Sequence, residues 1–183
     1  MKKVLIPLAQ GCEELEAITI IDLLRRAGIE VISAGLDDKP VTCSRKTVIT
    51  PDTTLQQIIN DKFDLIVLPG GLPGADNLRD NSQVIELIKK QSSENKPVAA
   101  ICAAPKVLAK AGLLENKRAT SFPNVLSDLN LSSTDITNSA IEHDGNIITS
   151  RGPGTAMDFA LFLIKLLLGN EEMNRISKQM VRD

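Results

Sequence analysis

The sequence predicts an α/β protein with a mostly parallel sheet covered by helices on both faces, and three observations carry that prediction. Short apolar runs alternate with helix-period patterns along the chain. The runs are continuously apolar, as strands buried on both faces are. At Ala9 to Glu16, Pro69 to Gly74 and Cys102, a run turns directly toward a helical pattern, and in open sheets of this kind ligands sit at such strand ends.

In chain order, "KVLIPLA" reads as a first buried strand and Glu13 to Ala27 as an amphipathic helix, ended by Arg25 and Arg26 in the last turn and Gly28 beyond. "IEVISAG" is a second strand, and "VTCSRKTVITPD" an extended hairpin excursion. "FDLIVLPGG" follows as a strand, then a helix near Ser82 to Ser92 and the strand "KPVAAI". Ala140 to Ser150 is a hairpin, because Asp144-Gly145 is a strong tight-turn dipeptide between apolar positions. In "SRGPGTAMDF", Thr155 and Asp158 have capping-box spacing, and a nearly all-round apolar helix runs on to Leu168, fit for an interior or a subunit contact.

A length of 183 residues fits one domain over 1–183 that buries about 70% of its unfolded surface, and no repeat or linker divides it. With 43% hydrophobic and 24% charged residues, the composition is that of a globular protein. A net charge of -2 and the lack of Trp and Tyr leave neither a basic field nor stacking platforms for direct nucleic-acid binding. The longest apolar stretch, Phe159 to Leu168, contains Lys165 and falls far short of the roughly 20 residues of a membrane span. Val4 to Ala9 is likewise too short for an export signal, and Cys12, Cys43 and Cys102 have no metal-ligand spacing; the expectation is reduced thiols in the cytoplasm.

Cys102 is the candidate reagent. Free cysteine in an interior is commonly a small hydrophobe. Here, however, Ala100 and Ala104 stand two residues either side, as the sharp strand-to-helix turn of a nucleophile elbow requires, and Pro105 fits a helix's first turn. An ordinary thiol with a pKa near 8.5 is only about 3% thiolate at pH 7. Lowering it to about 5.5 takes roughly 4 kcal/mol, of which a helix N-terminus supplies about 0.3–2. Donors aimed at the sulfur must do the rest, and the Gly70-Gly71 corner permits close backbone approach. That corner has neither Walker nor dinucleotide-fingerprint spacing.

The proton partner has two candidates. His143, the one histidine, stands beside a hairpin tip, which disfavours a histidine-assisted hydrolase. In "GCEELEA" three acids open the first helix; the helix dipole accounts for Glu13 or Glu14, while Glu16 lies near the apolar face, where burial raises its pKa and lets it donate toward the sulfur.

Together "GCEELEA", "TCSR", "DLIVLPGG", "AAICAAP" and "SRGPGTAMDFAL" resemble, in order and spacing over essentially the whole chain, the ThiJ/PfpI superfamily, in the branch of the parkinsonism-linked protein deglycase and its bacterial relatives. The resemblance implies a flavodoxin-like three-layer sandwich and a homodimer. It implies Cys102 and Glu16 as the catalytic pair, with backbone donors from Gly71 and Ala103 and oxidation of Cys102 to a sulfinate that Glu16 stabilises. It further implies Arg45, Arg151 and Phe122 flanking the pocket, and Asp22 supplied to the partner subunit's site.

The implied activity is cofactor-free conversion of methylglyoxal to lactate and repair of early glycation adducts on proteins, alongside peroxide response and chaperone-like holding. The alternatives are a redox sensor or holdase working through Cys102, and a cysteine hydrolase of the peptidase type. Phe122 stands in the segment where some relatives have a histidine. Cys12 replaces a small residue and is either a bystander or a cross-linking partner of Cys102 under oxidation; Cys43 resembles a packing cysteine near the dimer contact.

Overall fold

The computed structural model describes residues 1–182. Its strands are β1 (Lys3–Leu8), β2 (Glu30–Gly35), β3 (Val41–Thr42), β4 (Val48–Ile49), β5 (Thr53–Thr54), β6 (Leu65–Leu68), β7 (Val98–Ile101), β8 (Arg118–Thr120), β9 (Asp135–Thr137), β10 (Ile141–Asp144) and β11 (Ile147–Ser150). The helices are α1 (Glu14–Arg26), α2 (Leu55–Ile58), α3 (Gly74–Asp80), α4 (Ser82–Ser93), α5 (Pro105–Lys110), α6 (Ala156–Leu168) and α7 (Asn170–Gln179).

Seven strands form the main sheet in the order β10-β11-β7-β6-β1-β2-β5, parallel except for the β10–β11 hairpin. The continuously apolar runs do bury both faces. Val4, Ile6 and Leu8 of β1 join one core with Leu65, Val67, Ala99 and Ile101, beneath α1, α6 and α7. Leu5, Ile66, Leu68, Val98 and Ala100 point the other way, onto Val84 and Ile88 of α4 and Val107 and Leu108 of α5. Each fully buried Leu, Ile or Val contributes about 1.5–3 kcal/mol by leaving water, so this alternation fixes strand register on both faces. The result is the expected flavodoxin-like three-layer sandwich.

From β1 the chain builds outward to β2 and β5 on one side, then returns to build β6, β7 and β11 on the other. The order therefore reverses between β1 and β6, which opens a crevice at their carboxyl ends. Among the described residues no helix is long and apolar enough to cross a membrane.

The structure corrects the capping box. Thr155 makes no side-chain cap to α6; its hydroxyl donates to the Gly152 carbonyl at 2.9 Å and contacts Ser150 Oγ at 2.7 Å. The threonine closes its own preceding turn, so Asp158 has no capping partner and instead meets Arg182 at 2.8 Å. The sequence reading also passes over α3, α7 and the short parallel pair β8–β9. Helix α7 buries only Ile176 and so lacks the apolar stripe that marks the others.

Candidate active site

Three chain segments meet where the sheet order reverses. The β1–α1 loop is pinned to the β6 end by Glu13 N–H donating to the Gly70 carbonyl at 2.9 Å, and by Gly74 N–H donating to the Gly11 carbonyl at 3.2 Å. Gly71, at φ +88°, turns the chain through a left-handed conformation in which a β-carbon would lie 2.4 Å from Glu13 N.

Cys102 follows β7 at φ +63°, 7% exposed, with its N–H donating to the Ser150 carbonyl at 2.9 Å and its carbonyl accepting from Phe122 N–H at 2.8 Å. Ala100 and Ala104 are fully buried beside it, and Pro105 is at the first turn of α5. This is the elbow expected from the flanking alanines.

Glu16 enters from the first turn of α1. Glu13 caps that helix by accepting the Glu16 backbone N–H at 2.8 Å, which aims the Glu16 side chain inward, where it is fully buried. Its Oε2 accepts the Gly70 N–H at 2.8 Å. The Cys102 thiol is near enough to the carboxyl for each to shift the other, while Oε1 has no hydrogen-bond partner among the described residues.

Burial raises the Glu16 carboxyl to about 7, with the Gly70 N–H and the thiol holding it back and the Glu13 charge adding to the rise. Burial likewise pushes the Cys102 thiol up to about 12, helped by the charge and approach of Glu16 and opposed by the Gly71 and Ala103 N–H groups. Burial therefore works against the expected Cys102 thiolate, whose charge depends on a proton donated by Glu16 and on the Gly71 and Ala103 N–H groups. Helix α5 begins at Pro105, past Cys102, and is only six residues long, so its dipole does little for the sulfur. Instead the corner holds one proton between sulfur and carboxyl above about pH 7, a coupled pair rather than an isolated acid. With the proton on Glu16, the anion rests on a sulfur facing two N–H donors.

Gly70 makes this closeness possible. A β-carbon there would fall 2.7 Å from Cys102 Cβ and 2.8 Å from both Glu16 Oε2 and the Ile101 carbonyl. Gly70→Ala is expected to lower stability by about 1–3 kcal/mol, read by urea unfolding, and to slow Cys102 alkylation; wild-type values for both would show that the pair tolerates separation.

A cleft of about 410 Å³ opens against the segments that hold the elbow, lined by Phe122, Pro123, Asn138, Arg151 and Gly152 to Thr155. Phe122 is 48% exposed, and Arg151 Nη1 donates to the Asn138 carbonyl at 2.9 Å. These two expected pocket residues therefore share a cleft. Arg45 does not line it: this exposed residue sits on the β3–β4 turn, where its backbone N–H donates to Glu14. Asp22 pairs with Arg26 at 2.7 Å, about 9 Å along α1 from Glu16, and does not reach Cys102 within its own chain.

His143 lies on β10 opposite Ile148, toward the far end of the sheet from the elbow, with Nε2 2.9 Å from the Gly145 carbonyl. Among the described residues no cluster of His, Cys, Asp or Glu is arranged to hold a metal.

Two features lay outside the sequence reading. Glu14, the first residue of α1, accepts the Arg45 and Thr47 N–H groups and the Ser44 hydroxyl. Against the upward pull of burial, backbone donors including Arg45 and Thr47 hold its carboxyl down at about 2. Cys12 meets Cys43, Sγ to Sγ 3.5 Å, rather than Cys102.

Comparison with known proteins places this geometry. The model of the DJ-1/PfpI family matches residues 2–166. Protein dj-1beta of Drosophila melanogaster is 46% identical over 97% of this chain and 95% of its own length. Glutathione-independent glyoxalase DJR-1.2 of Caenorhabditis elegans is 35% identical over 92% of this chain and 90% of its own. The solved structure of oxidized Toxoplasma gondii DJ-1 superposes with a TM-score of 0.94 at 36% identity, covering 100% of this chain and 99% of that one. The chain belongs to the DJ-1/PfpI family.

Proposed function

We propose that the protein is a cysteine-dependent, cofactor-free glyoxalase and protein deglycase acting on methylglyoxal and early glycation adducts. The observation that carries this reading is the desolvated Cys102–Glu16 pair beside the Gly71 and Ala103 N–H groups. The name of the Caenorhabditis elegans relative supports it.

In this mechanism the sulfur adds to the aldehyde carbon, and the proton held by Glu16 goes to the new alkoxide, giving a hemithioacetal. Glu16, now a carboxylate, removes the proton from that carbon and returns it to the neighbouring one through an enediol. The resulting thioester is opened by water, releasing lactate and restoring the thiol. The aldehyde carbon is oxidised as the ketone carbon is reduced, so no external oxidant is needed. A hemithioacetal or hemiaminal adduct first breaks its C–S or C–N bond, releasing the thiol or amine and restoring the aldehyde to which the Cys102 sulfur then adds.

Incubation of the protein with methylglyoxal, without glutathione and with a chelator present, is expected to yield lactate. A yield no greater than the protein-free control overturns the reading.

A second reading, a redox sensor or holdase working through Cys102, is favoured by the oxidized state of the Toxoplasma gondii relative. In it Cys102 climbs to the sulfinate and Glu16 hydrogen-bonds the product. The peptidase-type alternative lacks an imidazole at the sulfur, since His143 stands elsewhere on the sheet. The assembly we propose is a homodimer in which Asp22 serves the partner's site.

A further inference from the structure

Cys12 and Cys43 lie in different parts of the sequence, yet their sulfurs are 3.5 Å apart in a site closed to solvent. Two backbone hydrogen bonds straddle them. Gly11 N–H donates to the Thr42 carbonyl at 2.8 Å, and Ser44 N–H donates to the Cys12 carbonyl at 2.8 Å. The β1–α1 loop and the β3–β4 hairpin are therefore fixed side by side, with the two side chains converging. A bond between the sulfurs needs closure to about 2.05 Å, within reach of side-chain rotation when the backbones are already adjacent.

The pair differs from Cys102 in chemistry as well as in place. Cys102 faces a carboxyl, so its oxidised sulfur has no thiol partner there, whereas Cys12 and Cys43 each have a resolving thiol in contact. We propose that Cys12 and Cys43 are a second oxidation site, at which a hydroperoxide joins the two sulfurs in a reversible intrachain disulfide.

Cys43 is the entry point. It belongs to a hairpin whose strands are only two residues each, so local opening of that hairpin admits a small oxidant. Cys12 is the more deeply held, because the backbone of Gly74 packs directly on it.

The Cys43 sulfur displaces water from the peroxide, breaking the O–O bond and leaving a sulfenic acid. The Cys12 sulfur then attacks that sulfur, breaking the S–O bond and releasing a second water. Two thiol protons end in the two waters, the dithiol loses two electrons, and the peroxide gains them. Burial pushes both thiols upward, so the reaction is slower than at an exposed cysteine and accelerates with pH.

The consequence is mechanical. Glu14, two residues beyond Cys12, already ties α1 to the hairpin through Arg45 and Thr47. A covalent link beside it fastens the start of the helix that carries Glu16.

The test treats full-length wild type and Cys102→Ala with hydrogen peroxide, blocks free thiols with iodoacetamide, and maps unreduced peptides by mass spectrometry. A Cys12–Cys43 cross-linked pair, about two hydrogens lighter than the reduced peptides, is expected in both proteins and disappears with dithiothreitol. Oxidised Cys102→Ala should also unfold at a higher temperature than its reduced form, a shift absent when Cys12→Ser is added. Full alkylation of Cys12 and Cys43 after peroxide has consumed Cys102 in wild type overturns the proposal, as does a cross-link between Cys12 and Cys102.

Discussion

Cys102→Ala is expected to lower lactate formation from methylglyoxal by at least about 10³-fold, since removing a nucleophile leaves only binding and oriented donors. The fold should survive the change. Cys102 makes its backbone bonds to Ser150 and Phe122 whatever its side chain, and alanine is tolerated as well as cysteine in that left-handed turn. Thermal unfolding within a few degrees of wild type, together with lost turnover, separates chemistry from stability. Retention of a tenth or more of the activity by a folded Cys102→Ala protein would remove the sulfur from the mechanism.

Glu16→Gln should change two pH profiles at once. In the folded protein the Glu16 carboxyl is raised from 4.5 to about 7, chiefly by burial, so its protonated form is favoured by folding. That stabilisation is fully present below the unfolded value and is lost as pH rises through the folded one. Over this window wild type should lose about 3 kcal/mol relative to Glu16→Gln, at about 1.36 kcal/mol per unit. Urea unfolding at pH 4.5 and pH 8 measures the difference, and an unchanged gap between the two proteins refutes the buried acid.

The second profile is iodoacetamide alkylation of Cys102. In wild type the first proton leaves the pair around pH 7 and the other stays between carboxyl and sulfur, so reactivity should rise up to that point and then level off. The Gln variant has no carboxyl to ionise there. Its thiol is relieved of the Glu16 charge and opposed chiefly by burial, so its reactivity should keep rising with pH beyond the point where wild type levels off. Superimposable profiles would mean that the sulfur titrates without Glu16.

The parts of this site that depend on local chemistry could be read along the chain. Ala100, Ala104 and Pro105 announce a tight turn with Cys102 at its apex, and Glu16 stands among apolar neighbours in a helix start. The alternation of strands and helices likewise places the three strand ends on one edge. Contacts made across long stretches of chain could not be read so. Nothing in "GCEELEA" says that the Glu14 side chain would gather N–H groups from Arg45 and Thr47, or that Cys12 would meet Cys43 instead of Cys102. The raised Glu16 carboxyl could be read from its apolar neighbours, whereas the upward push on the Cys102 thiol could not, because the sequence counts donors but does not give the desolvation that opposes them. At Thr155 a correct spacing misled, because a competing turn took the hydroxyl first.

The backbone at Cys102, with φ at +63°, suits glycine better than any residue bearing a β-carbon. Holding a side chain there costs about 1–2 kcal/mol, a sizeable share of a typical domain's net stability. The protein is thus less durable than its architecture permits, and the deficit lies at the atom that gives it reactivity. Sturdiness and reagent compete for one position, so a version hardened at that position would also be a disarmed one.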